Sequence, residues 1–531
     1  MPVKNAASHL AKVVSAAPDG LEASPVRHDA NLKLRFSPLS MALFCFVIMS
    51  TPAAWAGSVA TSLSAGGPVA MFWGFLVVFV GSLCGAASLG EMVSIWPTAE
   101  GQIAWTEHLA PRSCARFLRY YVAWLTAVAW IFMTSSAAFI ASISILAMAA
   151  ACNDTYMPAA WHIVLVFWAV LLFSLLVNVY GMRILSAFNN TAAALAICST
   201  ICIVAILFAK SAGSFNSAEY ALLHLENATG WSQNGIAFIV GMVTAAFSIL
   251  GYDSVAHLCE EMHAPAVYAP RAMIGSVLMS LPTGLLIILA VVFTIKDIET
   301  VAVQMFPLIY LLQSATGSTA GAVFLTCALC TFSAVCASIS MLATSGRVIW
   351  SFSLEGGIPA SKFLSKISPT RHVPVRAMVL SAVIQSLIVL VYLGNAALFN
   401  SVLVLAIALL NTSYLVPNVL MLVRGRPSGA LPSAPFSLGP VLGPVANVVA
   451  AVYELFISVM LFLPTSMPVS GNNMNYACAI FGGAHILAGI YWFIGGKKRV
   501  HNFHGTVGEA LQQPAPPTRP VCEDEAAKGE V

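Results

Sequence analysis

Ala246-Phe-Ser-Ile-Leu-Gly-Tyr-Asp-Ser-Val-Ala-His-Leu-Cys-Glu-Glu261 is the stretch on which the interpretation of this sequence depends. It follows an uncharged run that begins at Trp231, and it places Gly251 two residues before the carboxylate of Asp253. An unpaired charge in hydrocarbon is costly and marks a functional site. Irregular backbone persists at membrane depth only where it lines a cavity. We therefore predict that residues 247–253 interrupt a membrane helix and form half of a substrate site.

The composition is that of a polytopic membrane protein. Of 531 residues, 59% are hydrophobic and 8% are charged, whereas a soluble protein carries about 25% charged residues. The scattered basic residues exclude a nucleic-acid-binding surface. Spans of about 20 apolar residues predict twelve helices, at 39–65, 68–90, 118–149, 160–182, 184–209, 232–258, 272–295, 319–350, 375–394, 397–422, 445–465 and 474–495. Gly394-Asn395 is the turn predicted to separate the ninth span from the tenth.

The basic residues predict the orientation in the membrane. An even number of spans puts both termini on one side, and a cytoplasmic N-terminus places 22 Lys and Arg inside against Lys210 and Lys296 outside. This asymmetry follows the positive-inside rule. Residues 1–36 and 497–531 are polar and are predicted to be disordered cytoplasmic tails. The plasma membrane is favoured over the vacuole. Two sequons in predicted outer loops, at Asn153 and Asn227, are candidate glycosylation sites.

The first span has its own predicted interruption. Ser50, Thr51 and Pro52 lie in mid-span, and a proline inside a helix removes a backbone hydrogen bond. Interruptions in the first and sixth spans are typical of an inverted repeat of five plus five helices, with a substrate site between the two breaks. The repeats would cover 39–209 and 232–422, followed by two further helices over 445–495, within a transporter domain of 37–496.

The sequence resembles the fungal amino acid/choline transporter family, which includes choline and GABA permeases, within the amino acid–polyamine–organocation superfamily. The resemblance is carried by four stretches: Leu39-Ser-Met running into Ser64-Ala-Gly-Gly-Pro68, Gly90-Glu-Met-Val-Ser-Ile-Trp-Pro-Thr-Ala99, Gly251 to Pro265, and Ala343 to Pro359. It implies an all-α, LeuT-like fold with broken helices 1 and 6, and transport that is often coupled to protons. Family members commonly have Asn and Trp where Ser50 and Pro52 stand, and Gly where Glu100 stands.

The resemblance implies the residues that bind substrate. Carried over position by position, they are Ser50, Thr51, Pro52, Ala53 and Ala54 of the first break and Phe247, Ser248, Leu250, Gly251, Tyr252 and Asp253 of the sixth. Trp130 of span 3 is a further candidate, either as a pocket wall that covers a cation or as a packing residue. Asp253 either accepts an ammonium or a proton, or caps the broken helix through backbone N–H groups.

Other ionisable residues are candidates for gating and coupling. Glu91, Glu260 and Glu261 lie at predicted cytoplasmic helix ends near Arg271 and Arg347; they form either ion pairs of an inner gate or solvated interface charges. Glu454 lies inside the predicted span 11, where a protonated packing role or a subunit contact is expected.

We predict a secondary active transporter, a symporter, for a small amine-bearing solute such as an amino acid, GABA or choline. Its partners would be that solute, a coupling proton and the lipid bilayer, without a cofactor or a metal. One alternative is a nutrient receptor with the same fold that has lost transport, although the predicted tails are short for signalling. Another is an integral-membrane enzyme, but no Gly-x-Ser-x-Gly or His-Glu-x-x-His motif occurs.

Overall fold

A computed structural model describes residues 36–153, 155–181, 184–394, 396–427, 431–471 and 473–496. The predicted disordered tails, apart from Phe36, and the predicted turn residue Asn395 lie outside these ranges. Within them the chain forms helices and two isolated bridges, without a strand. The predicted all-α class is therefore confirmed.

Eleven helices in the described part are long and apolar enough to cross a membrane. They are Pro38–Ser64, Gly67–Ile95, Ala115–Cys152, Ala160–Tyr180, Leu185–Lys210, Pro265–Thr294, Thr319–Leu354, Val375–Gly394, Ser401–Gly425, Gly439–Met460 and Ala477–Ile494. They correspond to spans 1 to 5 and 7 to 12 of the prediction. The remaining span, span 6, consists of Asn234–Gly241, Val243–Ser248 and Ser254–His257. The twelve-span architecture is thus the predicted one.

Span 1 is interrupted at a single residue. One helix ends at Met49 and the next begins at Thr51, and Ser50 between them has a left-handed backbone with φ 44°. The prediction placed the break over residues 50–54, but Thr51 to Ala54 are helical. Pro52 is the second residue of the new helix, where its missing N–H removes no hydrogen bond. The proline therefore starts a helix here rather than bending one.

The break in span 6 is longer. The helix ends at Ser248, the next helical turn begins at Ser254, and Gly251 between them has φ 92°. Phe247 and Ser248, which were predicted to lie in the break, form the last turn before it. The five residues 249–253 are therefore the interruption.

Corresponding spans of the two predicted repeats pack against each other. Span 7 packs on span 2, and span 8 packs on span 3. Span 11 packs against both span 2 and span 10. We call the side on which span 1 begins and span 12 ends the terminal side, and the opposite side the far side. A short helix on the terminal side, Gln102–Leu109, packs against spans 3 and 10.

Candidate functional site

The two interruptions contact each other through side chains of span 1. Thr51 Oγ1 donates a hydrogen bond of 2.6 Å to the carbonyl of Ser248, the last helical residue before the break in span 6. Cys45 Sγ donates to the carbonyl of Tyr252 at 3.7 Å. Carbonyls at a helix end and in irregular backbone have no partner within the helix. Span 1 therefore satisfies backbone groups that the break in span 6 has freed.

Gly251 occupies a gap between spans 1 and 3. A Cβ built on it would lie 3.0 Å from Ile48 Cγ2, 3.4 Å from the Trp130 ring and 3.6 Å from the methyl carbon of Met133. Its φ of 92° is also one that a residue with a side chain adopts only at a cost. Both the backbone conformation and the space at this position require glycine.

Asp253 has no exposed surface, and four side chains lie within hydrogen-bond distance of its carboxyl group. Its Oδ1 accepts from the Tyr414 hydroxyl at 2.5 Å. Its Oδ2 accepts from Gln102 Nε2 at 2.9 Å and Trp130 Nε1 at 3.2 Å. His257 Nε2 lies 3.1 Å from the same oxygen. A carboxylate has about four acceptor positions, so the capacity of Asp253 is filled by the protein.

The imidazole of His257 lies between two oxygen atoms. Its Nδ1 lies 2.9 Å from the carbonyl oxygen of Ala99. A carbonyl only accepts, so Nδ1 carries a hydrogen. The contact between Nε2 and Asp253 Oδ2 requires a second hydrogen, on either the imidazole or the carboxyl group. Both contacts are hydrogen bonds only when the pair holds one proton more than an ionised carboxylate beside a neutral histidine.

These contacts show what surrounds two of the predicted site residues, Asp253 and Trp130. Asp253 is not a cap, because its carboxylate makes no capping bond to the helix that follows it. Trp130 is fully buried and directs its indole N–H to Asp253. Sequence reasoning missed Gln102, Tyr414 and His257 as partners of Asp253. The four-residue spacing of Asp253 and His257 on one helical turn was the available signal.

A cavity of about 550 Å³ enters the molecule from the far side. Its walls include Gly57 and Thr61 of span 1, Ser136 and Phe139 of span 3, and Thr244 of span 6. No charged residue is among the described residues that line it. The residues predicted to bind substrate are all described, and none of them lines this cavity. Met133 lies beside Gly251, and Ser136 of the cavity wall is three residues further along span 3, which is about 5 Å along a helix. The cavity therefore ends about one turn short of Gly251.

The terminal side is closed below the breaks. Arg347 Nε donates to Glu261 Oε1 at 2.7 Å, and both side chains are almost completely buried. The backbone N–H of Phe36 donates to the Glu261 carbonyl, so the start of span 1 is held against the end of span 6. The space beside this ion pair is about 10 Å³, at the lower limit for one water molecule. The molecule is thus open to the far side and closed on the terminal side.

The other predicted gating residues have different partners from those expected. Glu91 binds Arg426 rather than Arg271 or Arg347. Glu260 Oε1 accepts a hydrogen bond of 3.0 Å from the backbone N–H of Ala99. The guanidinium of Arg271 lies over the ring of Tyr268. These pairings depend on how the loops fold back on the helix ends, which sequence separation does not indicate.

Arg119 is the centre of a second terminal-side cluster, which the sequence did not reveal. Its guanidinium binds Glu100 at 2.7 Å, Glu355 at 2.6 Å and also Glu107. Burial raises the pKa of Glu100 to about 7; Arg119 opposes this change, and Glu355 adds to it. A carboxyl group with a raised pKa therefore lies beside the closed face.

The two candidate glycosylation sites differ in accessibility. The Asn153 side chain is exposed, and its Oδ1 accepts from the Thr155 hydroxyl at 2.7 Å. Asn227 Nδ2, the atom that would carry a glycan, donates to the Trp231 carbonyl at 2.9 Å and to Asn234. The Asn227 sequon is therefore folded into the far-side loops, whereas the Asn153 sequon is free for an enzyme to reach.

Broken helices 1 and 6 that contact each other at their interruptions, in a twelve-span helical bundle, are the architecture of a membrane transporter. A family model described as amino acid permease matches residues 39–484, and the chain belongs to this family of transporters. A choline transporter of Saccharomyces cerevisiae is 30% identical over 457 residues, which cover 86% of this chain and 80% of the relative. A putative amino acid/polyamine transporter of Macrophomina phaseolina is 32% identical over 445 residues, with 82% and 96% covered. A polyamine transporter of Saccharomyces cerevisiae is 27% identical over 480 residues, with 88% and 76% covered.

Proposed function

We propose that this permease is a secondary active transporter that moves a small amine-bearing solute by alternating access and is driven by protons. The paired interruptions of spans 1 and 6 carry the proposal, because Thr51 of one bonds the helix end of the other. The relatives whose names refer to choline and polyamines support an amine-bearing solute. The bundle of spans 1, 2, 6 and 7 would rock against the other spans around the breaks.

The terminal side is the cytoplasmic side in this proposal. The distribution of 22 basic residues against two supports it. The cavity at the far side would then face the outside of the cell, and the Arg347–Glu261 pair would close the inner gate. The plasma membrane fits such an outward-facing uptake state, with both termini in the cytoplasm.

The solute would bind between the breaks, one helical turn below the floor of the cavity. The helix that begins at Thr51 directs its first N–H groups toward the break at Ser50, and a helix N-terminus favours a carboxylate. An ammonium group would be held by carbonyls of residues 249–251, where the helix of span 6 has ended. Labelled choline, GABA, amino acids and polyamines, offered to a transport-deficient host, would identify the solute. Binding without accumulation of any of them would instead favour a receptor.

Asp253 and His257 are the proposed site of the coupling proton. Four hydrogen bonds saturate the Asp253 carboxylate, so an ammonium could reach it only after one partner had left. A proton needs no such vacancy, and the two contacts of His257 are both hydrogen bonds only when the pair holds one. Proton binding at this pair is therefore better supported than a direct ammonium contact.

Collapse of the proton gradient is expected to stop solute accumulation. The solute should be concentrated inside cells only while protons flow inward, so a protonophore should return the inside-to-outside ratio to about one. Uptake should also make the unbuffered external medium more alkaline. Concentrative uptake that persists at full rate with the protonophore present would contradict proton symport.

Asn153 is expected to carry a glycan, and Asn227 is not. Replacement of Asn153 by Gln should increase electrophoretic mobility to that of enzymatically deglycosylated protein, because the accessible acceptor is lost. Replacement of Asn227 by Gln is the matched control and should leave mobility unchanged, since its amide is engaged within the protein. A mobility change in the Asn227 variant alone would reverse the assignment. If neither asparagine carried a glycan, the placement of the far side outside the cell would lose this support.

A further inference from the structure

Glu454 is a buried carboxyl group that the proposed transport cycle does not use. It lies inside span 11 with no exposed surface, which rules out a subunit contact. Asn418 of span 10 is its only hydrogen-bond partner among the described residues. One N–H₂ group of Asn418 lies 2.7 Å from one carboxyl oxygen and 3.0 Å from the other. No cationic side chain contacts it directly, so the group has an environment that favours the protonated form.

A chain of hydrogen bonds leads from Glu454 to the terminal side. Beyond Asn418 it passes through Ser88 of span 2 and Asn447 of span 11 to Arg426, which binds Glu91. Glu91 is fixed in turn by the hydroxyl of Ser437 and the backbone N–H of Leu438. Gly443 provides the room for the Arg426 guanidinium, because a Cβ there would overlap with it.

The guanidinium of Arg426 sets the direction of this chain. It can only donate, so Asn447 presents its oxygen to Arg426 and its N–H₂ group to Ser88. Ser88 then donates to the Asn418 oxygen, which leaves the Asn418 N–H₂ group facing Glu454. Every donor therefore points from Arg426 toward Glu454. Such an aligned chain, built from side chains of spans 2, 10 and 11, stabilises negative charge at its accepting end.

The other side of Glu454 faces the break in span 6. Tyr252, which precedes Asp253, has a buried hydroxyl without a hydrogen-bond partner in the described part of the chain. A Cβ built on Gly85 would lie 2.5 Å from that hydroxyl and 3.2 Å from a Glu454 oxygen. Tyr453, Cys84 and Asp253 are the other titratable groups close enough to act on the Tyr252 hydroxyl. The ordinary pKa values of tyrosine and cysteine lie above 7, so Tyr453 and Cys84 are neutral groups near pH 7.

We propose that Glu454 is a second proton-binding site of this transporter, linked to the substrate site by Tyr252 and to the Arg426–Glu91 pair by Asn418, Ser88 and Asn447. The assignment of a role in coupling rests on the proposed function, but the assignment of a titrating carboxyl group does not. A metal ion is a poor occupant, because hard cations take six or more oxygen ligands and one carboxylate faces a donating amide here. The Glu454 carboxyl group takes up the proton in its neutral form. The aligned donors stabilise the carboxylate that remains when the proton leaves.

Infrared difference spectroscopy of the purified full-length protein, titrated with base and without solute, tests this site. The wild type should lose a carboxyl C=O band that shifts in D₂O; Glu454→Gln should lack that band, and Glu100→Gln, which removes a terminal-side carboxyl group with a raised pKa, should retain it. Asp253→Asn should retain it, and Glu299→Gln, which alters an exposed glutamate, is the control and should also retain it. An unchanged band in Glu454→Gln, or no titrating band in the wild type, would overturn the proposal.

Ser88→Ala tests the connection to the terminal side and leaves Glu454 and its partner intact. Removal of the middle link should move the titration of the band to higher pH by about one unit, because a hydrogen bond contributes about 1 kcal/mol and one unit corresponds to about 1.4 kcal/mol. Ser142→Ala is the matched control, since Ser142 is equally buried and bonds only its own helix. An unshifted titration in Ser88→Ala would remove the chain from the proposal. Because no solute is present, loss of the proposed transport function would not affect either result.

Discussion

Replacement of Asp253 by Asn is expected to lower solute uptake by at least about a hundredfold. Asn would put an N–H₂ group where the carboxylate now faces donors from Gln102, Trp130 and Tyr414. Hydrogen bonds to a charged group contribute about 1.5–3 kcal/mol each, and about 1.4 kcal/mol corresponds to a tenfold change. The measurement is radiotracer uptake, normalised to the amount of fluorescently tagged protein at the membrane.

Two further variants separate a role in transport from a role in folding. Tyr414→Phe removes one of the four bonds and keeps the ring in place, so a smaller loss, roughly ten- to a hundredfold, is expected. Asp297→Asn is the control for the chemical change itself, because Asp297 is exposed and caps a short far-side helix, where Asn is an equivalent cap. Normal uptake by Asp253→Asn would remove this residue from the mechanism.

Gly251→Leu is expected to abolish uptake. The side chain would enter the space beside Ile48 and the Trp130 ring, where even a Cβ is 3.0 Å from the nearest atom. A left-handed backbone adds about 1–2 kcal/mol for any residue with a side chain. The break in span 6 could then no longer lie against span 1, and the solute site between them would be lost. The same normalised tracer assay measures the effect.

Gly275→Leu is the matched control for this variant. Gly275 lies in span 7, and a Cβ built on it has no atom within 4 Å, so uptake close to the wild-type rate is expected. Gly251→Ala should have an intermediate effect, because it introduces the backbone strain without most of the bulk. If Gly251→Leu transported as well as Gly275→Leu, the solute would have to bind elsewhere.

The two breaks were predictable from the sequence to different degrees. In span 6, Gly251 next to Asp253 indicated the interruption, because glycine permits the left-handed backbone. In span 1, Pro52 indicated that an interruption was near but not where. Proline is compatible with the first turn of a helix, so the helix resumes at Thr51 and the break falls on Ser50. The prediction for span 1 was correct in depth and wrong in extent.

The environment of the carboxylates was largely beyond the sequence. Gln102 and Tyr414 are 151 and 161 residues from Asp253 along the chain, and nothing local to either residue indicates the contact. His257 was the one accessible partner, because it lies four residues away. For Glu454 the sequence correctly indicated an intramembrane carboxyl group. The prediction of a subunit contact was wrong, because span 11 turns this face toward spans 2 and 10.

By itself the sequence determined the number of spans, their approximate limits and which two of them lose their regular backbone. These features depend on local properties: about 20 apolar residues cross a bilayer, and glycine and proline act on their own turn of chain. The tertiary structure alone decided which polar side chains meet, that the far side is open and that Arg426 and Glu454 belong to one chain of hydrogen bonds. The physical reason is that a buried polar group must find partners, and the packing of helices, not the order of residues, determines which partners are within reach.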